Sequence, residues 1–169
     1  MGFSPCMAKP SRNADSESIL NPARTFFATT KTSMGRRLLQ SERNANLFIE
    51  VLRSLVVERK FILHDFVIMP DHVHLLLTID AGMTIEKTMQ FIKGRFSRRL
   101  SHEFGHKAEV WQRGFSEVQV VGKESMERYR AYIAKNPIEA GLVHAGEKYP
   151  FCYRVLAEKK AAGAKALAT

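Results

Sequence analysis

The chain contains little cysteine and no long apolar run, and these two absences exclude several classes of protein. Only Cys6 and Cys152 are cysteines among the 169 residues, so a disulfide framework and a cysteine-rich zinc site are both excluded. No apolar segment approaches the ~20 residues that a membrane-spanning helix needs. The opening MGFSPCMAKP also lacks the apolar core of a signal peptide. We therefore expect a protein of a reducing cytoplasm.

Acidic residues are also scarce relative to basic ones. The 26 lysines and arginines outnumber the 17 aspartates and glutamates, which gives a formal net charge of +9 at pH 7. Basic proteins of this kind often bind polyanions, and nucleic acid is the usual polyanion. A basic protein without such a partner fits the same composition, so charge alone leaves both alternatives open.

The patterned part of the chain is flanked by two segments of biased composition. Residues 1–22 are rich in Ser, Pro, Asn and Ala without an apolar period, which predicts a disordered tail. Residues 156–169 are rich in Ala and Lys and predict a basic C-terminal tail, either frayed helix or coil. Residues 23–155 are expected to form one domain.

The predicted elements follow one another in the order β-α-β-β-α-β-α. Strands are predicted at Arg24–Lys31, Lys60–Met69, His72–Ile79 and Phe115–Val121. Helices are predicted from the cap residue Ser41, from Thr84 to Glu103, and from Ser125 until Pro137 stops the helix. This order is that of a ferredoxin-like α+β fold with an added C-terminal helix and an antiparallel sheet of four or five strands. Helices on one face of that sheet would leave its other face free for a site.

Two histidines interrupt the apolar run FVIMPDHVHLLLTID. Because side chains alternate along a strand, His72 and His74 share one face with Leu76 and Thr78. The other face carries Val73, Leu75, Leu77 and Ile79. Two imidazoles at this spacing can bind one divalent cation through a ring nitrogen each. A pair of surface histidines is the alternative, and Asp71 fits either a turn residue or a carboxylate that orients a ligand.

Neighbouring positions exclude two enzyme classes that also use paired histidines. Histidine-triad hydrolases need His-x-His-x-His, but Leu76 occupies the third position here. The two-histidine phosphodiesterases need two separate His-x-Thr or His-x-Ser motifs, and the chain contains neither. If the histidine pair serves catalysis, its nucleophile therefore comes from elsewhere in the sequence.

The segment SMERYRAYIAKNPIEAGLV supplies a candidate nucleophile. Tyr129, Tyr132 and Asn136 are spaced so that they lie on neighbouring turns of one helix side. A tyrosine hydroxyl becomes a useful nucleophile when a metal polarises its electrophile, and an Asn carboxamide oxygen is a hard ligand acceptable to Mg²⁺ or Mn²⁺. Either tyrosine alone fits core packing, which we expect of Tyr129. The histidine pair favours Tyr132 as the nucleophile.

Taken together, MPDHVHLLL and the later YIAKNPIEAGLV resemble the single-tyrosine HUH transposases, and more narrowly the REP-associated tyrosine transposases of the IS200-like superfamily. The resemblance implies that His72 and His74 bind the metal, with Asn136 in the place of a further ligand. It implies that Tyr132 attacks single-stranded DNA and leaves a 5′-phosphotyrosine link with a free 3′-hydroxyl. It further implies a bacterial, nucleoid-associated protein that acts as a monomer or homodimer.

Basic and aromatic residues supply candidate DNA contacts. Cationic candidates occur before the first predicted helix, on the second and after it: Arg36, Arg37, Lys93, Arg95, Arg98, Arg99 and Arg113. Each phosphate contact of this type releases counterions, although a solvated helix face has the same composition. Trp111 fits either stacking on an unpaired base or capping the core.

These features predict a metal-dependent transposase that cleaves and rejoins single-stranded DNA. The resemblance adds a hairpin-forming repeat as the substrate. Two alternatives remain at this point: a non-catalytic basic module of ferredoxin-like fold that binds nucleic acid, and a metal-dependent phosphodiesterase that uses water as the nucleophile.

Overall fold

The computed structural model describes residues 23–166 of the chain. The strands in this range are β1 (Arg24–Lys31), β2 (Ile62–Ile68), β3 (His72–Ile79) and β4 (Ser116–Val120). The helices are α1 (Glu42–Val57), α2 (Ile85–Phe104), α3 (Gly122–Glu139) and α4 (Tyr153–Ala166), and the 3-10 turns Ser33–Gly35 and Leu38–Gln40 connect β1 to α1. The predicted tail at residues 1–22 lies outside the described residues.

The four described strands form one antiparallel sheet in the order β2-β3-β1-β4. This order and the succession of strands and helices confirm the predicted ferredoxin-like α+β fold with an added helix after the last strand. β3 lies in the interior of the sheet, hydrogen-bonded to β1 on one side and β2 on the other. The histidine-bearing strand is therefore held along both edges.

One face of the sheet packs against α1 and α2. Both helices are amphipathic, and their apolar stripes meet Leu75, Leu77 and Ile79 of β3, which are fully buried. Phe48 of α1 and Phe96 of α2 meet edge to face with ring centroids 5.2 Å apart. Burial of this apolar surface is the main force that holds the helices on the sheet.

The other face of the sheet is covered in part by α3, which corrects the expectation that this face would be free. Ile133 and Pro137 of α3 are buried, and Ile133 joins a second, smaller apolar cluster with Phe27, Leu76 and Val120. These two are the only buried residues of α3, so most of this helix is exposed. The helix therefore rests on the sheet through a narrow apolar strip.

Pro137 does not end α3 as predicted, because the helix continues to Glu139. A proline lacks the amide donor and its ring crowds the carbonyl four residues earlier, but here it lies in the final turn. The Ala140 amide donates to Asn136 O at 3.0 Å and the Gly141 amide donates to Ile138 O at 3.0 Å. Backbone hydrogen bonding thus passes beyond the proline before the chain leaves the helix.

Other boundaries differ by one to three residues. α3 begins at Gly122 rather than Ser125, and β2 and β4 are shorter than the predicted strands. The Ala/Lys-rich segment from residue 156 continues α4 as far as Ala166, in agreement with the helical alternative for it. Within the described residues, no helix combines the length and the apolar composition that crossing a membrane requires.

Truncation of a core residue in β3 should destabilise the fold strongly. Leu77 is 0% exposed, and Leu77→Ala should lower the free energy of unfolding by about 2–5 kcal/mol because it leaves a cavity. Ile62, on the neighbouring strand, is 58% exposed, so Ile62→Ala should change it by no more than about 0.5 kcal/mol. Urea unfolding of both variants checks this, and equal losses would contradict the assignment of the core face.

Candidate active site

The two histidines of β3 lie side by side on the face that packs against α3. Strand alternation places both rings away from the main core, and their centroids are 4.8 Å apart with the planes at 77°. His74 is only 5% exposed, whereas His72 is partly exposed at the start of the strand. The spacing predicted from the sequence therefore gives two adjacent imidazoles, one deep and one near the surface.

Each imidazole is oriented by a hydrogen bond at its Nδ1 atom. His72 Nδ1 lies 2.6 Å from Asp71 Oδ1, and His74 Nδ1 lies 2.7 Å from Thr29 Oγ1. A ring that donates through Nδ1 keeps the Nε2 lone pair free for a metal, and such outer partners fix the orientation of metal-binding histidines. Asp71, which the sequence left open between two roles, thus contacts a histidine directly.

The pKa of His74 favours the neutral ring that a metal ligand must be. Burial lowers this pKa to about 4, and the neighbouring His72 contributes to the lowering, whereas Asn136 opposes the shift. The ring is therefore uncharged at neutral pH. Its Nε2 atom is buried and makes no hydrogen bond of normal geometry with any described residue.

Tyr132 projects from α3 beside these rings. Its ring centroid lies 5.3 Å from that of His74 and 5.6 Å from that of Phe27, edge to face in both cases. The side chain is 45% exposed, so a substrate can reach its hydroxyl. Tyr129 instead stacks on Phe27 with ring centroids 4.5 Å apart and is packed against the second apolar cluster. The geometry thus separates the two tyrosines into one reactive candidate and one packing residue.

Asn136 lies one helical turn beyond Tyr132. Its Nδ2 atom donates to Tyr132 O at 3.1 Å, which leaves the carboxamide oxygen available. Because its side chain raises the pKa of His74, it interacts with that ring across the gap between α3 and β3. Asn136 is therefore placed to add an oxygen ligand to the two histidines.

A divalent cation fits the residues present. Within residues 23–166 no group of three His, Cys, Asp or Glu side chains is placed to hold a metal, so a third protein ligand would be a residue of another type, for which Asn136 is the candidate. Two imidazoles and one carboxamide oxygen form a set that such a cation accepts. Nε2 of His74 is buried and makes no hydrogen bond of normal geometry, although Asn136 lies close enough to raise the pKa of the ring. A cation held between this nitrogen and the Asn136 oxygen would satisfy both atoms.

Two residues that support the site escaped the sequence analysis. Thr29 lies opposite His74 in the β1–β3 register, and Phe27 stacks on the His74 ring with centroids 5.3 Å apart. Alternation along TFFATTK indicates which residues of β1 share a face. The identity of their partners depends on strand order and register, which the sequence does not reveal.

Comparison with known proteins identifies the family. The model of the family described as "Transposase IS200 like" matches residues 29–136, a segment that runs from Thr29 through the histidine pair and Tyr132 to Asn136. The chain belongs to the IS200-like transposase family. No curated protein sequence matches the chain significantly.

Two solved structures agree with this membership. A REP-associated tyrosine transposase bound to a REP hairpin is 26% identical, with 76% of this chain and 75% of that chain covered and a TM-score of 0.60. A Deinococcus radiodurans R1 protein assigned as a transposase is 21% identical, with coverage of 66% and 88% and a TM-score of 0.52, and this likeness concerns the fold alone. The resemblance inferred from the sequence motifs is confirmed, and the chain is a DNA-processing transposase.

The predicted cationic contacts of α2 lie on the face of the IS200-like transposase opposite to the active site. Arg95 pairs with Glu58 beyond the end of α1, and Arg99 pairs with Glu50 and Glu103. These ion pairs connect α1 with α2 and already neutralise both guanidinium groups. That Arg95 and Arg99 bind DNA stays a prediction. Their ion pairs favour a structural role in which they connect α1 with α2.

Two other predicted contacts are used within the fold. Lys93 donates through Nζ to Gln112 O at 3.0 Å and to Gly114 O at 2.7 Å, and burial lowers its pKa. Trp111 is buried and packs against Phe48 and Phe96. Its indole nitrogen donates to Lys93 O at 3.1 Å. The arrangement agrees with the core-capping alternative for Trp111.

The remaining predicted cationic residues differ in whether their guanidinium groups already have partners within the fold. Arg36 donates through Nε to Ser33 O at 3.1 Å and through Nη2 to Glu109 O.

Three exposed arginines make no ion pair with other described residues: Arg37, Arg98 and Arg113. Of these three, Arg37 lines a cavity of about 280 Å³ together with Asp71 and His72, which places it beside the candidate active site.

Acidification should destabilise the metal-free transposase through His74. Its pKa is about 4 in the fold against an ordinary 6.5, so between these values the unfolded chain binds more protons. The free energy of unfolding should therefore fall as the pH drops from 6.5 to 4, by on the order of 3 kcal/mol. Urea unfolding in a chelator, at both ends of this range, measures the change.

The matched variant His74→Asn should lose this part of the pH dependence. Burial also lowers the pKa of His64 and raises that of Asp65, so the variant keeps a residual slope from these two groups. An unchanged difference between the two pH values in His74→Asn would show that His74 does not titrate in this range.

Proposed function

We propose that this IS200-like transposase uses a divalent metal to cleave and rejoin single-stranded DNA through a 5′-phosphotyrosine intermediate. The observation that carries the proposal is the convergence of three rings. The His74 ring lies 4.8 Å from the His72 ring and 5.3 Å from the Tyr132 ring, although Tyr132 comes from a different element. This proximity of a candidate nucleophile to a candidate metal-binding pair, together with the exposure of Tyr132, supports the proposal.

The residues of this site divide the reaction between them. Tyr132 Oη attacks the phosphorus of a phosphodiester and gives up its proton, while the bond from phosphorus to the 3′-oxygen breaks. The departing 3′-oxygen takes up a proton and becomes a free hydroxyl. Because one phosphorus–oxygen bond forms as another breaks, the linkage to Tyr132 retains the phosphodiester for later rejoining.

His72, His74 and Asn136 would hold the cation, Mg²⁺ or Mn²⁺. When bound, such a cation neutralises charge on the non-bridging phosphate oxygens and orients the phosphate for in-line attack. Asp71 and Thr29 keep the two rings in orientation through their Nδ1 atoms. The second apolar cluster under α3 positions the helix that carries the nucleophile.

A hairpin with a single-stranded flank is the substrate we propose. The solved REP-associated relative is bound to a REP hairpin, which supports a similar DNA for this chain. A basic protein with a formal net charge of +9 also suits a polyanionic substrate.

Removal of the Tyr132 hydroxyl should abolish the covalent intermediate. Tyr132→Phe deletes one atom from an exposed ring, so the free energy of unfolding should change by no more than about 0.5 kcal/mol. No protein–DNA adduct should form when the variant is mixed with labelled single-stranded DNA and Mn²⁺ and separated on a denaturing gel. DNA binding should persist.

Tyr129→Phe is the matched control, since this ring contributes packing rather than its hydroxyl. It should form the adduct like the unmodified chain. An adduct that survives in Tyr132→Phe but disappears in Tyr129→Phe would move the nucleophile one turn along α3. Cleavage without any adduct would favour water as the nucleophile, and binding without cleavage would favour the non-catalytic module.

Removal of a metal-binding ring should separate cleavage from binding. His72→Ala should lower the rate of DNA cleavage by more than about 100-fold, whereas Asp71→Asn should lower it by about 10–100-fold because it changes only the orienting partner. Affinity for DNA, measured by fluorescence anisotropy over a salt series, should change little in either variant. Equal cleavage by His72→Ala and the unmodified chain would refute the metal-binding role.

A further inference from the structure

Met34 presents an exposed apolar side chain in a strained conformation, and the next residue in the chain, Gly35, lines the cavity at His72. It is 92% exposed, the largest exposure among the large apolar side chains of the described residues. Its φ angle is +58°, a left-handed conformation that a residue with a side chain adopts only at a cost. Neither feature helps the fold, because the side chain packs against no core cluster.

The loop that carries Met34 is held firmly despite this exposure. The Thr32 amide donates to Asp71 O at 2.8 Å, and the Ser33 amide donates to Val110 O at 2.9 Å. The Ser33 hydroxyl donates to Glu109 Oε2 at 3.0 Å. Met34 is therefore held by its neighbours in an exposed position, rather than placed on a loosely attached loop.

The same loop forms one wall of the cavity at His72. Gly35 and Arg37 line this space of about 280 Å³, with Asp71 and His72 on a second side and Leu142, beyond α3, on a third. The Arg37 guanidinium is exposed and makes no ion pair within residues 23–166. A free cation thus borders the space between the strand of the candidate metal ligands and the end of the helix that carries the candidate nucleophile, and the apolar projection of Met34 stands one residue before the Gly35 wall of that space.

We propose that Met34 and Arg37 form the subsite for the unpaired nucleotide next to the scissile phosphate, an inference that rests on the proposed function. Met34 packs its thioether against the face of the unstacked base, as apolar wedges do when they open a base step. Arg37 binds the adjoining phosphate. The rigid loop reduces the ordering that binding would otherwise require.

The backbone strain at Met34 gives a sharp test. Met34→Gly removes the side chain and relieves the left-handed conformation, so the variant should unfold at a higher temperature and yet bind DNA more weakly. The probe is a short DNA hairpin with single-stranded flanks, and fluorescence anisotropy is measured in a Tyr132→Phe background that prevents cleavage. We expect Kd to rise by about 5–20-fold, and Met34→Leu to restore most of the affinity.

Arg59 provides a matched control for the strain. It is the other non-glycine residue with positive φ in the described part of the chain, at +55°. It precedes β2, whose first residue Ile62 pairs with Thr78 at the end of β3 away from His72. Arg59→Gly should also raise the unfolding temperature but change Kd by less than about twofold, apart from the small uniform effect of one lost charge.

Abasic substitutions in the DNA identify the base that Met34 contacts. If single abasic sites are placed in turn along both flanks, one position should abolish the difference in Kd between the Met34→Gly variant and its parent. Arg37→Ala should lower the slope of log affinity against log salt by about one, whereas Arg53→Ala, on the exposed side of α1, should leave the slope nearly unchanged.

The outcomes separate this inference from the proposed function. Met34→Gly that binds as tightly as its parent, or that loses the same affinity at every abasic position, would overturn the subsite even if Tyr132 still forms the adduct. An adduct missing from the unmodified chain, with a base-specific Met34 effect retained, would uphold the subsite and overturn the nucleophile. Absence of hairpin binding by the unmodified chain would overturn both.

Discussion

The antiparallel pairing of β1 with β3 is the constraint on which the candidate site depends. This register sets Thr29 opposite His74 and Phe27 opposite Leu76, so one strand supplies the imidazoles and its neighbour supplies their support. A shift by one residue would turn every side chain of β3 to the other face. The two histidines would then enter the main core, where their desolvation would not be offset by any partner.

The two faces of the sheet differ in how much apolar surface is buried against them. On the face of α1 and α2, the large apolar cluster provides most of the buried surface, and the ion pairs of Arg95 and Arg99 connect the helices at its margin. On the other face, the smaller cluster under α3 leaves that helix largely exposed. Stability and the candidate site are thereby separated, because the face with little packing is the one that holds the candidate reactive groups.

The environment of His74 illustrates how burial would suit this ring to the proposed role of a metal ligand. Burial lowers its pKa to about 4, which costs stability in acid but keeps a lone pair on the ring at neutral pH. His72, nearer the surface, takes its orientation from Asp71 instead. The two rings thus lie in different surroundings, one buried beside Phe27 and the Thr29 hydroxyl and one beside the Asp71 carboxylate.

The sequence by itself determined the order of the elements, the bounds of β1 and β3, and the face that His72 and His74 share. These features follow from local periodicity, since alternation and helical spacing act over a few residues. It also singled out Tyr132, although through a family resemblance as well as its spacing from Asn136. The sequence did not predict that α3 would continue past Pro137. A proline in the final turn of a helix removes few hydrogen bonds, so it does not have to end the helix there.

Only the tertiary structure decided which distant groups meet. It brought Thr29 to His74 and packed Phe48 and Phe96 against Trp111. It also gave intramolecular partners to Lys93, Arg95 and Arg99, although each resembled a free cation in the sequence. It also brought the loop of the strained Met34 and the unpaired Arg37 to the cavity at His72. The physical reason is that such contacts depend on strand order, register and packing between segments far apart in the chain, whereas local patterning fixes only which side of an element each residue occupies.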